Sequence, residues 1–198
     1  MNEDEIEILI VYDSKNGSTE KLSESICLGV ESVPGVSARL RRVLDISKDK
    51  NSSQDTDNSI LIVEKKDLIE CKGIILGSPT RFGNMSASMK FFIDQTLDTW
   101  ISGHLINKPA GVFTSTGSLH GGQETTLISM MFPLIHHGMV IVGIPYSENE
   151  LNTTSTGGTP YGASHVAGPN GSNEISYEES KLAKALGKRI ANIAKKFK

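Results

Sequence analysis

Four short and nearly continuous apolar runs constrain the fold of this chain more than any other feature of its sequence. They are ILIVY (8–12), GIILGSP (73–79), AGVFTST (110–116) and GMVIVGIP (138–145). Strands buried on both faces of a parallel sheet have this continuous pattern, whereas strands with one wet face alternate. A weaker run, VSARLRRV (36–43), places Val36, Ala38 and Leu40 on one face. The runs therefore predict about five parallel strands.

Helical periodicity fills the intervals between these strands. Two intervals carry apolar stripes: Leu22, Ile26, Val30 and Val33 within 19–33, and Met85, Met89, Phe92, Ile93 and Leu97 within 85–97. Further helical patterns cover 122–136 and about 176–197. Alternating strands and helices predict an α/β fold, a flavodoxin-like doubly wound parallel five-stranded sheet of order 2-1-3-4-5 with helices on both faces. We find no internal repeat or linker, so residues 1–198 are predicted to form one domain.

Three stretches do not fit this alternation. Residues 44–59 are polar and are expected to form a mobile surface excursion, and residues 60–70 are expected to add a short edge element. Residues 145–175 are rich in Gly, Ser, Thr and Asn. A loop of that length inside a compact domain is usually functional or disordered.

Composition and charge exclude several classes of protein. The net charge of −3, without a dense Lys/Arg face, argues against nucleic-acid binding. Cys27 and Cys71 lie far apart without a CxxC motif, which argues against a zinc or iron–sulfur site and favours buried free thiols in a reducing compartment. The acidic start MNEDEIEI does not resemble a secretion signal, and no apolar run approaches the roughly 18 residues of a membrane span. A soluble, cytoplasmic protein is expected.

Polar segments follow three of the predicted strands: SKNGST (14–19), SPTRFGNMS (78–86) and STGSLHGGQE (115–124). The carboxyl ends of parallel strands meet at one edge of the sheet, where ligands of such folds bind. We therefore expect the three segments to converge on one ligand.

SKNGST has the composition of an anion site at the start of a helix. It combines hydroxyl, amide and glycine residues ahead of the free N–H groups of the first helical turn. No lysine follows Gly17, so the segment is not a nucleotide-triphosphate loop, and a monophosphate ester is the expected anion. Plain helix capping by Ser18 or Thr19 is the alternative.

The other two segments suit a planar ligand. Arg81 is a candidate for an anion and Phe82 for a flat ring, while Gly83 permits close backbone approach. Asn84 or Ser86 is expected to cap the next helix. The alternative is an exposed Arg81 on a turn with Phe82 in the core. The hydroxyls and glycines of 115–122 suit the edge of a flat ligand, and a flexible turn is the alternative.

Single aromatic residues complete the candidate site. His136 and His137 end the third helix, where capping is the alternative to ligand binding. Trp100 is expected either in the core or, on a loop, as a stacking wall. The sequence has no GxSxG or HExxH motif and few charges near the cleft, which favours chemistry carried by a cofactor.

Taken in order, six segments resemble the tryptophan-repressor-binding-protein-type (WrbA-type) NAD(P)H:quinone oxidoreductases. They are SKNGST, GSPTRFGNMS, Trp100, FTSTGSLHGGQETT, HHGMVIVG and GGTPYGASHVAG. The resemblance covers nearly the whole chain except 44–70 and the termini. It implies a flavodoxin-like FMN protein that uses NADH or NADPH to reduce quinones, assembled as a homotetramer whose active sites lie near subunit contacts.

The resemblance also implies roles for individual residues. Cofactor-binding positions are Ser14, Lys15, Asn16, Gly17, Ser18 and Thr19 at the phosphate, Thr80, Arg81, Phe82, Gly83 and Asn84 along the ring, Ser115, Thr116, Gly117, Ser118, Leu119, His120 and Gly121 in a second loop, and His136. Trp100 and Tyr146 match residues beside the substrate, and no residue is implied as an obligatory acid, base or nucleophile. Asn16 stands where the family often has an aromatic residue.

Two other functions stay open. A flavodoxin-like one-electron carrier is disfavoured by GGTPYG, by Trp100 and by the modest net charge, because the resemblance implies that such carriers are strongly acidic. A regulatory protein-binding module would need a basic or groove-fitting element, which the sequence does not offer.

Overall fold

The computed structural model describes residues 6–47 and 60–197, and within these ranges the strands form one parallel sheet. The strands are β1 (Ile6–Tyr12), β2 (Val36–Arg42), β3 (Gly73–Pro79), β4 (Pro109–Thr116), β5 (Val140–Ile141) and β6 (Ala163–Val166). Their order is β2-β1-β3-β4-β5, and β6 also pairs with β4. The predicted flavodoxin-like order is confirmed, while the single-domain organisation stays a prediction.

Helices cover the sheet on both faces. They are α1 (Ser18–Glu31), α2 (Lys65–Glu70), α3 (Ala87–Asp94), α4 (Leu97–Ile101), α5 (Gln123–His136), α6 (Glu150–Thr153) and α7 (Tyr177–Lys196). Ile8 and Ile10 of β1 pack in one core with α1 and α7, whereas Leu9 and Val11 pack in a second core with α3 and α5. Both sides of β1 are therefore buried, which is why its sequence is continuously apolar.

The fifth strand position differs from the sequence prediction. The continuous strand expected over 138–145 is wrong, because β5 ends at Ile141. After Val142 the chain leaves the sheet, and the Ile144 N–H donates to the carbonyl oxygen of Pro160 at 2.9 Å. The strand β6 then pairs with the second half of β4, from Phe113 to Thr116. β5 and β6 thus pair with the first and second halves of β4, where one continuous fifth strand was expected.

The single helix expected over 85–97 is also wrong. The hydroxyl of Thr96 donates to the carbonyl oxygen of Ile93 at 2.7 Å, and the chain breaks into α3 and α4 at this point. Ser86 is the N-cap of α3, and its hydroxyl accepts from the Met89 N–H. As a result Leu97 is exposed instead of joining the apolar stripe, and Trp100 lies in α4 and not on a loop.

The remaining polar stretches contain more regular structure than expected. Ile62 makes one parallel bridge with Arg42, and α2 follows, so the edge element over 60–70 is a bridge and a helix. Residues 145–175 contain α6 and β6. Of the excursion expected over 44–59, residues 48–59 lie outside the described ranges.

Candidate cofactor site

Three loops meet in one polar cavity at the carboxyl end of the sheet. The cavity has a volume of about 230 Å³ and lies beyond β1, β3 and β4. Its predicted lining residues are Ser14, Lys15, Asn16, Ser18, Thr19, Thr80, Arg81, Ser115, Thr116 and Gly117. The structure therefore brings together most of the residues that the sequence assigned to a cofactor, although their roles stay predictions.

The loop after β1 leaves its hydroxyls available to a ligand. Gly17 is the N-cap of α1, in a left-handed conformation (φ 83°) and without a side-chain cap, so Ser18 and Thr19 do not cap the helix. Ser14 Oγ accepts from the Glu20 N–H at 3.3 Å. The Ser18 and Thr19 N–H groups at the start of the helix lack intrahelical acceptors and favour an anion.

The loop after β3 forms a tight turn from Arg81 to Asn84. The backbone groups of these two residues bond each other in both directions, at 2.8 and 3.0 Å. Phe82 (φ 53°) and Gly83 (φ 75°) occupy the two central positions in left-handed conformations. Phe82 is fully exposed, so its expected alternative place in the core is wrong. A bulky residue held at positive φ is strained, and such strain is often found at functional sites.

A network of threonine hydroxyls fixes the base of the cavity. Thr114 Oγ1 donates to the Ser78 carbonyl oxygen at 2.7 Å. Thr80 Oγ1 lies 3.4 Å from Thr114 Oγ1 and accepts from Thr126 Oγ1 at 3.2 Å. These bonds join β3, β4 and α5, so the position of Thr80 is set by all three elements.

The loop after β4 forms an exposed turn that packs against the Arg81–Asn84 turn. The Gly121 N–H and Thr116 Oγ1 both donate to the Ser118 carbonyl oxygen, at 3.0 and 2.9 Å. Gly122, the N-cap of α5 (φ 95°), approaches the other turn so closely that a Cβ here would lie 2.8 Å from Gly83 Cα. The two turns therefore form one surface beside the cavity.

A fourth wall of the cavity was missed by the sequence reasoning. It comes from the segment after β6 and consists of Ala167, Gly168, Pro169 and Gly171, with Pro79 as a further unpredicted lining residue. The Ala167 N–H donates to the Thr116 carbonyl oxygen at 2.8 Å. The sequence feature that could have indicated this wall is the Gly/Pro-rich stretch AGPNG (167–171), directly after a short strand.

Other predicted residues lie along a second, mostly apolar groove. The groove has a volume of about 750 Å³ and is lined by Gly83, Asn84, Leu97, Trp100, Ile128, Phe132, Pro133 and His136, among others. Trp100 Nε1 donates to the His136 carbonyl oxygen at 2.8 Å. Arg81 lines the polar cavity and Asn84 lines the groove, so the turn between them separates the two spaces.

The two histidines at the end of α5 have different surroundings. His136 is the basic residue in the last turn of α5, as the capping alternative expects, and its side chain is exposed and so remains accessible to a ligand. His137 Nε2 lies 2.8 Å from Thr96 Oγ1. Burial, and secondly the charge of His136, lowers the pKa of His137. His137 is therefore neutral near pH 7 and fixes the junction of α3 and α4.

Five predicted residues are exposed and line neither space: Phe82, Ser118, Leu119, His120 and Tyr146. His120 is held at φ 58°, in the same left-handed region as Phe82. Phe82 and residues 118–120 belong to the two turns beside the cavity, whereas Tyr146 is not brought to either space.

Among the described residues, the thiols and the acidic side chains form neither a reactive thiol site nor a metal site. Burial raises the pKa of the Cys71 thiol to about 11, and burial with Glu31 and Glu24 raises that of half-buried Cys27 to about 12. Within 6–47 and 60–197 no cluster of three His, Cys, Asp or Glu side chains is placed to hold a metal ion. No helix in these ranges is long and apolar enough to cross a membrane.

The doubly wound sheet and the loops at its carboxyl edge define a flavodoxin-like protein. Residues 6–149 match the family model of NADPH-dependent FMN reductases, and the chain belongs to this family. It is an FMN-dependent oxidoreductase of flavodoxin-like fold, and the WrbA-type resemblance is confirmed by the family and by solved structures.

Three solved structures illustrate this similarity. A flavodoxin-like, WrbA-like protein from Agrobacterium tumefaciens is 25% identical, with 98% of this chain and 99% of that chain covered and a TM-score of 0.71. A flavodoxin from the domain Archaea is 22% identical, with coverages of 96% and 99% and a TM-score of 0.64. The oxidised flavodoxin 1 of Bacillus cereus is 15% identical, with coverages of 94% and 97% and a TM-score of 0.57. The last two support the fold alone.

Proposed function

We propose that this FMN-dependent oxidoreductase transfers two electrons from NADH or NADPH to a quinone, by a ping-pong mechanism in which both substrates use one site. The observation that carries the proposal is the convergence of the three loops on one polar cavity beside an apolar groove. The cytoplasm is the proposed compartment, because both thiols are free.

The residues of the cavity fit FMN. A phosphate monoester needs several neutral hydrogen-bond donors and a helix N-terminus, and the hydroxyls of Ser14, Ser18 and Thr19 lie at this one, where the N-cap residue Gly17 has no side chain. A flat ring needs close backbone approach, which the Gly83–Gly122 contact and the exposed turns beside it allow.

The protein's part in the reaction is binding and orientation. FMN, when bound, would supply the redox chemistry between reduced nicotinamide, the hydride donor, and the quinone, which would take up two electrons and two protons to form the hydroquinone. The hydroxyls after β1 hold the phosphate, and the network through Thr80 fixes the loop after β3. His136 and Trp100 lie at the end of α5 opposite the cavity, about 20 Å from Gln123, so a neighbouring copy of the chain would have to supply them. From such a copy, His136 is our candidate donor for the negative charge of the reduced ring, and Trp100 is our candidate to stack on the flat substrate. No residue is required as an acid, base or nucleophile.

We also propose a homotetramer in which a second copy of the chain covers the groove. Leu97, Trp100, Phe132 and Ile135 are exposed on α4 and α5. Monomeric soluble proteins rarely leave a large contiguous apolar patch in water. Since the groove adjoins the Arg81–Asn84 turn, a neighbouring copy would enclose the substrate side of the cavity.

A one-electron carrier is the second candidate, although the similarity to two solved flavodoxins supports the fold alone. The exposed Trp100 and the apolar groove favour the enzyme, because a carrier needs no pocket for an organic substrate.

Steady-state kinetics of the full chain reconstituted with FMN test the proposal. We expect NADH or NADPH oxidation to depend on benzoquinone, and double-reciprocal plots at several quinone concentrations to give parallel lines. Intersecting lines would contradict the ping-pong mechanism. FMN binding without quinone-dependent turnover would favour the carrier, and failure to bind FMN would exclude both.

A further inference from the structure

Glu179 is a buried carboxylate that the proposed reaction does not use. It lies in the first turn of α7 and only 1% of its surface is exposed. Its Oε1 accepts from the N–H groups of Gly157 and Val166, at 2.8 and 2.9 Å. Its Oε2 accepts from the Ser176 N–H and from Nδ1 of His165, both at 2.8 Å. One carboxylate therefore collects four hydrogen bonds.

These bonds fasten both ends of one segment. Val166 comes directly before residues 167–175 and Ser176 directly after them, so the two oxygens of Glu179 hold the two ends of this loop together. Ser176 and Glu179 also form the capping box of α7, in which Ser176 Oγ accepts from the Glu179 N–H at 3.2 Å.

The fastened segment is the fourth wall of the cavity. A Cβ built on Gly171 would lie 3.9 Å from Asn16 Cβ and from Ser18 Oγ, so this part of the wall is within contact distance of the loop after β1. Inside the loop, the Asn173 N–H donates to the Ala167 carbonyl oxygen at 2.9 Å. The wall thus lies against the loop that we assign to the phosphate.

We propose that Glu179 is a positioning residue for the cofactor, which holds the 167–175 wall against the phosphate end of the cavity, with His165 as its buried partner. The inference rests on the proposed binding of FMN. His165 is also 1% exposed, and it is the one side-chain donor among the four contacts, so it provides the partner that a buried carboxylate requires.

The test compares FMN with riboflavin, which lacks the phosphate. Two variants of the full chain alter the Glu179 hydrogen bonds: E179Q removes the charge, and E179D keeps the charge but shortens the side chain. E178Q is the matched control, because Glu178 lies in the same helical turn without a hydrogen bond to the loop. Dissociation constants are measured by quenching of flavin fluorescence.

We expect E179Q and E179D to weaken FMN binding about tenfold and riboflavin binding by less, since only FMN uses the phosphate end. E178Q should bind both flavins as the wild type does. Equal losses for both flavins, or unchanged FMN binding, would overturn the inference. Failure of the wild type to bind FMN would instead refute the proposed function.

A measurement on the unmodified apoprotein covers the case in which the variants do not fold. The hydrogen bonds from the Val166 and Ser176 amides to Glu179 predict slow hydrogen exchange at these two amides in the absence of FMN. Exchange at the rate of an unstructured loop would overturn the inference.

Discussion

At the scale of residues, the proposed phosphate site leads to a prediction for the hydroxyls at the start of α1. Thr19 is almost completely buried and lines the cavity, and Val has nearly the same shape without the hydroxyl. We expect T19V to weaken FMN binding about tenfold, the usual effect of losing one hydrogen bond to a charged group. Riboflavin binding should not change, and an equal loss for riboflavin would show that Thr19 does not contact the phosphate.

The Glu179 cluster predicts a pH dependence of stability. Burial raises the pKa of Glu179, but the hydrogen bonds from His165, Ser176 and Val166 outweigh burial and lower it from 4.5 to about 2. Because this pKa is lower in the folded state, the carboxylate stabilises the fold above its unfolded pKa, and this stabilisation is lost as the pH falls from about 4.5 towards 2.

Urea unfolding at several pH values measures this effect. We expect E179Q to have a lower free energy of unfolding than the wild type near pH 7, and the difference to shrink towards about pH 3. E178Q should follow the wild type throughout. A difference that stays constant over this range would show that the charge of Glu179 is not responsible.

The sequence predicted the site best where a polar segment follows a long buried strand. Ser14 and Thr80 were placed correctly beside one cavity because ILIVY and GIILGSP are unmistakable strands. Gly168 and Gly171 were missed, because β6 has only four residues and includes Ser164 and His165, which are buried by specific hydrogen bonds and not by hydrophobicity.

At the scale of elements, α1 and α7 cross at a point where glycine is required. A Cβ on Gly187 would collide with the carbonyl oxygen of Ile26, and one on Gly29 with that of Lys184. Backbone atoms cannot move aside as a side chain can. The two helices thus pack by direct backbone contact.

We expect G187A to lower the free energy of unfolding by about 1–3 kcal/mol, although alanine favours a helix more than glycine does. K188A, at the exposed neighbouring position, should leave stability nearly unchanged. Thermal unfolding followed by circular dichroism measures both. A G187A variant as stable as the wild type would contradict the close crossing.

Elements were predicted well where local pattern and tertiary contacts agree. The stripe of Leu22, Ile26 and Val30 is fully buried in α1. The strand over 138–145 failed because Ile144 bonds Pro160, a partner sixteen residues away that no local pattern reveals. The prediction of one helix over 85–97 failed at Thr96, whose N–H and hydroxyl both donate to the Ile93 carbonyl oxygen just after α3 ends.

At the scale of the whole molecule, the apolar groove predicts assembly. We expect light scattering of the wild type to give four times the 21.4 kDa mass of the chain. F132E places a charge on the exposed groove and should yield smaller species. L28E makes the same change at an exposed position of α1 and should leave the tetramer intact. A monomeric wild type would contradict the proposed assembly.

Anaerobic titration of the FMN-loaded protein tests the central claim most directly. We expect one equivalent of NADH or NADPH to bleach the absorbance of the oxidised flavin, and one equivalent of benzoquinone, added afterwards, to restore it. Each half-reaction should proceed without the other substrate. A flavin that dithionite reduces but neither nicotinamide reduces would contradict the account and would favour an electron carrier.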